Sequence, residues 1–150
     1  MSSADAAGEA LQSDPALRKR PANFAPLSPV SFLARAAACF ADRRAVVHGA
    51  RQFTYSEFYA RARQLAHALA KAGIRRGDTV AILAANVPAM LEAHYAAPMI
   101  GAVLNPINIR LDAPLIAFCL EHGGAKLLLA DREFHATVAP AARSSSRLRC

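Results

Sequence analysis

A chain of 150 residues with 54% hydrophobic and 19% charged side chains is long enough for one domain with a core, and is neither disordered nor low-complexity. Thirty-six of its hydrophobic residues are alanine and tryptophan is absent, so the large apolar surface available for that core is small. The net charge of +7 permits contact with anionic partners, but the arginines are scattered and not interleaved with aromatics, which argues against a nucleic-acid partner.

Residues 1–28 mix Ala, Ser, Pro and charge without period and are expected to form an arm, with Pro15, Pro21, Pro26 and Pro29 interrupting any helix. A helix is predicted from Ser31, with Leu33, Ala36, Ala37 and Phe40 on one face, ending at Asp42-Arg43-Arg44. Ala45 to His48 and Gln52 to Thr54 then read as a small hairpin. Thr54-Tyr55-Ser56-Glu57 matches a capping box, opening a helix whose stripe is Phe58, Ala62, Leu65, Ala66 and Leu69, with Gly73 as its left-handed stop.

The next elements alternate in type. Strands are predicted at Thr79 to Ala84, Ala102 to Leu104 and Lys126 to Ala130, with helices from about Pro88 to Ile100 and Asp112 to Glu121 between them. The strands are nearly continuous apolar runs, as expected of a parallel sheet covered on both faces. Asn86 and Asp112 stand where N-caps belong, Gly123-Gly124 closes the second of these helices, and Pro98 is expected to kink the first. The predicted fold class is α/β, an incomplete doubly wound and largely parallel sheet with flanking helices, preceded by a β-hairpin. Past Asp131 a helical start is suggested at Arg132-Glu133-Phe134, core periodicity then fades, and residues 136–150 are expected to be a disordered tail.

Chemistry-bearing constellations are few. Neither strand-to-helix turn, 85–88 or 105–112, contains glycine, so no phosphate-wrapping loop is present, and Gly73 and Gly77 flank a connection between a helix and a strand. Cys119 and His122 share a predicted helix but make no zinc site alone, and Glu92 and His94 point to different sides of theirs. Cys39, Cys119 and Cys150 are odd in number and widely spaced, which suits a reducing compartment. Asp5, Glu9 and Asp14 without an apolar block exclude a secretory signal, and no run of about 18 apolar residues could span a membrane. A cytoplasmic location is expected.

The succession SFLARAA, AVVHG, FTYSEFYAR, GDTVAILAAN and PAMLEAHYAAPMIGAVLNPINIRLDAPLIAFCLEHGGAKLLLADREF resembles the opening of an AMP-forming acyl-CoA synthetase. Within the adenylate-forming superfamily it is most similar to medium-chain fatty acyl-CoA and 3-methylmercaptopropionyl-CoA ligases, over about residues 22–135. The resemblance implies a reaction that joins a carboxylic acid to ATP and passes the acyl group to coenzyme A, with Mg2+ as the metal. It also implies a Ser/Thr/Gly-rich loop ending in Pro-Lys-Gly, an acidic ribose-binding residue and a lysine on a C-terminal lid, and none of these motifs occurs in the 150 residues.

Residues 29–135 are therefore expected to be the N-terminal part of an AMP-binding domain, inert on its own, with no catalytic, cofactor or metal residue assigned. Asn86, Asn105 and Arg110 are expected to be caps or loop-shaping groups. Arg132 falls where some relatives touch the coenzyme A phosphate, a role not assigned to it here. The Arg/Ser-rich end, residues 136–150, departs from the family pattern and suggests a truncated or frame-shifted product. Self-association through an unpaired sheet edge, or complementation by a separately encoded remainder, are the expected partnerships.

Overall fold

The computed structural model describes residues 27–145 and Leu148. Nearly all of the expected arm, and most of the end from residue 146, lie outside the described residues. Helix α1, Pro29–Cys39, is capped by Ser28, whose hydroxyl accepts from the Val30 amide at 3.3 Å. Pro29 does not interrupt the helix but begins it, because the first helical position needs no amide and suits proline's fixed φ. Leu33 is buried, whereas Phe40, expected on the same stripe, is the C-cap and 54% exposed.

Strands β1, Arg44–His48, and β2, Arg51–Thr54, pair antiparallel around a turn at Gly49, whose φ of 58° lies in the left-handed region. Helix α2, Tyr55–Lys71, opens with the expected capping box. The Thr54 amide donates to Glu57 Oε2 at 2.8 Å, and the Glu57 amide donates to Thr54 Oγ1 at 3.2 Å. It closes on Gly73, φ 86°: the Gly73 amide donates to Ala70 O and the Ile74 amide to Leu69 O, and Leu69 and Ile74 are buried in one cluster. Phe58, Ala62, Ala66 and Leu69 are buried as expected, and Leu65 is half-buried between two clusters.

The sheet holds β3, Thr79–Leu83, β4, Val103–Pro106, and β5, Ala125–Ala130, all parallel, in the order β4-β3-β5. Helix α3, Pro88–Met99, links β3 to β4, and α4, Ala113–His122, carries the chain from β4 across to the far side of β3. Crossovers of one hand that run in opposite directions leave their helices on opposite faces. The side chains of β3 divide accordingly. Val80 and Ile82 pack with α2 and α3, while Ala81 and Leu83 pack with α4 and with α5, His135–Ser144. On the first face Ala93, Ala96 and Ala97 of α3 are fully buried, so the alanine-rich composition allows close approach of helices to sheet. Pro98 stands in the last turn of α3, which ends one residue later at Met99.

Three details fix the ends of the sheet. Gly77, φ 84°, lies in the turn from Arg75 to Asp78, and Asp78 Oδ2 accepts from the Arg75 amide at 2.9 Å. Asp78 Oδ1 also accepts from Lys126 Nζ at 2.5 Å, joining the starts of β3 and β5. Asn105 of β4 donates from Nδ2 to Cys119 O at 3.3 Å, capping the end of α4, and a Cβ at Gly123 would stand only 2.6 Å from that nitrogen.

After β5 a short 3-10 turn, Arg132–Phe134, leads into α5. The sequence reading expects disorder from residue 136, but α5 buries Val138 and Ala141 against the α4 side of the sheet. Two anchors three residues apart are too few to register as a period. Alanine's helix propensity and the waiting apolar face supply the rest.

Replacing Leu69, 2% exposed, by alanine is expected to cost about 2–5 kcal/mol in chemical denaturation, with Leu65→Ala costing clearly less because Leu65 is only half-buried. Equal losses at the two positions would contradict the packing described. Gly123→Ala is expected to destabilise by about 1–3 kcal/mol through crowding against Asn105 and the α4 terminus, read from the same denaturation midpoint.

Candidate functional site

In an open parallel sheet, ligands settle outside the carboxyl ends of strands whose connections leave for opposite faces. Here β3 leaves toward α3, whereas β4 and β5 both leave toward the α4 and α5 face. A cleft therefore opens on each side of β3. The loops after β4 and β5 stay tied to the central strand through Ile107 N to Ile82 O at 2.8 Å and Asp131 N to Leu83 O at 3.0 Å.

The cleft between β3 and β4, of about 430 Å³, is lined by Asn86, Met90, His94, Pro106, Asn108 and Ile109. Asn86 is not the cap expected. The Val87 amide donates to Ala85 O at 2.7 Å, a three-residue turn that puts Asn86 at its apex and leaves Val87 as an N-cap with no side-chain bond. His94 Nδ1 lies 2.8 Å from Met90 O; a carbonyl only accepts, so Nδ1 carries the proton. Arg110 is exposed, and its amide donates to Asn108 Oδ1 at 3.0 Å, which shapes the loop as expected.

The cleft between β3 and β5, of about 380 Å³, has aliphatic walls that include Leu65, Ile82 and Leu129, with Glu92 of α3, Asp131 and Arg132 also in its lining. Glu92 is 7% exposed, and Arg61 Nε of α2 donates to its Oε1 at 2.6 Å. The Arg61 guanidinium also lies 4.6 Å from the Phe53 ring centroid, so one cation ties α2, α3 and the hairpin together. The apolar stripe read for α2, Phe58, Ala62, Leu65, Ala66 and Leu69, leaves Arg61 out, and sequence reading misses this pair. Its signal was present as the single acidic residue inside an otherwise apolar helix. Arg132 is exposed at the start of the 3-10 turn, and Asp131 caps that turn by accepting from the Glu133 amide at 3.2 Å.

The remaining candidates stay apart from both clefts. His122 stacks on Phe118 with ring centroids 5.3 Å apart, and the Cys119 carbonyl is taken by Asn105. Among the described residues no group of three or more His, Cys, Asp or Glu side chains could hold a metal ion, and no helix is long and apolar enough to cross a membrane. The arrangement is two clefts at the carboxyl ends of a three-stranded sheet, without an assembled nucleophile, phosphate loop or metal centre among those residues.

Comparison with known proteins places this geometry. The AMP-binding enzyme family matches residues 33–149. A peroxisomal acetate/butyrate–CoA ligase of Arabidopsis thaliana is 51% identical over 118 residues, 79% of this chain and 21% of the relative. A peroxisomal benzoate–CoA ligase of the same plant is 46% identical over 115 residues, 77% of this chain and 20% of the relative. The crystal structure of a protein described as a long-chain-fatty-acid CoA ligase from Rhodopseudomonas palustris superposes with a TM-score of 0.77 at 35% identity, covering 81% of this chain and 31% of that one. An anthranilate CoA ligase bound to anthranoyl-AMP shares the fold, with a TM-score of 0.79 at 21% identity, covering 87% of this chain and 25% of that one. The chain thus spans about a fifth of the length of the curated relatives it matches. With the family match covering well over half of its residues, the chain belongs to the AMP-binding enzymes, and it corresponds to an N-terminal portion of an AMP-forming acyl-CoA ligase.

Proposed function

We propose that this chain is the sheet-building part of an enzyme that activates a small carboxylic acid with ATP and transfers it to coenzyme A, and that the 150 residues alone do not catalyse either step. The observation that carries the reading is the 51% identity to an acetate/butyrate–CoA ligase across 79% of the chain. Adenylation needs the triphosphate held and its developing charge neutralised, and no glycine-rich loop ending in Pro-Lys-Gly stands in the sequence to do so. Losing one such preorganised element typically costs about 2.7–4 kcal/mol in the transition state, and here several are missing together.

The names of the relatives favour a short aliphatic or aromatic acid, with medium-chain and 3-methylmercaptopropionyl acids as the alternative that the sequence resemblance suggests. The same names say peroxisomal, so a peroxisomal location is proposed beside the cytoplasmic one.

The purified 150-residue chain is expected to show no acid-dependent exchange of pyrophosphate into ATP with acetate, butyrate, benzoate or octanoate. Exchange that disappears when the acid is left out would overturn the proposed inertness. A second reading, assembly with a separately supplied remainder, is tested in the same assay by adding the rest of a homologous ligase as a second polypeptide. Activity only in the mixture supports complementation, and inactivity of the mixture counts against it.

A further inference from the structure

Helix α1 covers only part of the groove between α2 and α3. Its Leu33 is buried in one cluster with Phe58 and Ala62 of α2, against Tyr95 and Met99 of α3. Beyond that cluster the groove stays open. A hollow of about 400 Å³ continues along Arg63, His67 and Ala70 of α2 to Ile100 at the end of α3, sharing Tyr59 and Met99 with the surroundings of Leu33. Helix α1 runs antiparallel to α2, since Ala41 O, just past the end of α1, accepts from the Ser56 amide in the first turn of α2 at 3.1 Å. With Leu33 packed on Ala62, Pro29 stands one turn, or about 6 Å, further along, at the level of Ala66. The chain that precedes α1 therefore leaves that helix beside the open part of the groove, and Ala66 lines the hollow there.

The hollow suits a flat apolar ring. Ala66 and Ala70 are small enough to admit one, and Met99 and Ile100 offer apolar contact. The Arg63 guanidinium, 5.7 Å from the Tyr59 ring centroid, has no carboxylate partner among the described residues and is able to stack on an aromatic face. Leu27, 86% exposed, does not fill the space. Residues 1–26 contain a single aromatic side chain, Phe24, which three residues of chain keep within about 10 Å of Leu27. Its neighbours Ala22, Asn23 and Ala25 carry no charge. Leu17, the next large apolar residue back along the chain, is tied to Arg18-Lys19-Arg20, a run that Arg63 and His67 would repel. We propose that Phe24 seats in the groove between α2 and α3 beside Ala66 and Ala70, continuing the cover that α1 begins. Pro26 biases Ala25 toward extended backbone, so the segment crosses the groove as a strap and not as a further helical turn. The strap is separate from the reaction proposed above and is measured without acid, ATP or coenzyme A.

The test is made by nuclear magnetic resonance on the isotope-labelled 150-residue chain. Nuclear Overhauser contacts are expected between the Phe24 ring and the methyl groups of Ala66, Ala70 and Ile100 within one molecule. Phe24→Ala is expected to shift the amide resonances of Ala66 to Ala70 and to lower the denaturation midpoint, whereas Leu17→Ala is expected to leave both unchanged. Absence of the contacts in the unmodified chain would overturn the proposal. So would contacts that arise only between differently labelled molecules in a mixed sample, which would give the groove to a second copy. Amides at Ala66 to Ala70 that do not respond to Phe24→Ala, or that respond as strongly to Leu17→Ala, would overturn it as well.

Discussion

Strand β3 is the constraint on which the other elements depend. It hydrogen-bonds to β4 along one edge and β5 along the other, and both of its faces are covered, so every side chain from Val80 to Leu83 is buried. Such a strand tolerates neither a charge nor a register slip, since a shift of one residue would exchange the α2/α3 face for the α4/α5 face. Its position is held from below by Asp78, which accepts from the Arg75 amide and from Lys126, and from above by the loops that return to Ile82 O and Leu83 O. The two clefts follow from this arrangement, because the chain leaves β3 in one direction and its neighbours in the other.

The hairpin and α1 form a second, smaller assembly on α2. Leu33, Phe58 and Ala62 make its centre, with Phe58 and Tyr95 packed edge to face at 5.3 Å. Arg61 joins this assembly to the sheet by lying over Phe53 while pairing with Glu92. The pair is 43% and 9% exposed at its two side chains, so its Coulombic worth is reduced at the arginine and its geometric role, fixing how α2 crosses α3, is the larger one.

The sequence disclosed the fold wherever a local pattern had one physical meaning. The capping box at Thr54 and Glu57, the glycine stop at Gly73 and the apolar run from Val80 to Leu83 each admit few alternatives, and all three stand as read. Helix α3 was legible as an element but not by face, because it is apolar nearly all round and its alanines carry no directional signal. Asn86 misled because a good capping residue one position early looks the same in sequence, and the tight turn at Ala85 to Val87 is a tertiary outcome. Helix α5 was missed since its two buried positions gain meaning only from the face left open by α4 and β5. The clefts were not legible, as they arise from strand order, and Glu92 acquires its role only when Arg61, thirty-one residues earlier, is brought beside it. Family membership was legible from the order and spacing of whole segments, whereas the acid that the complete enzyme takes was not.

The central claim, that β3 organises the molecule, is tested most directly by native-state hydrogen exchange resolved by residue. Amides of β3 from Val80 to Leu83 are expected to exchange slowest, through global unfolding, with those of the hairpin at Val46 to His48 opening at lower free energy. Exchange at β3 as fast as in the hairpin, or greatest protection in α1 and the hairpin with the sheet already open, would contradict the account.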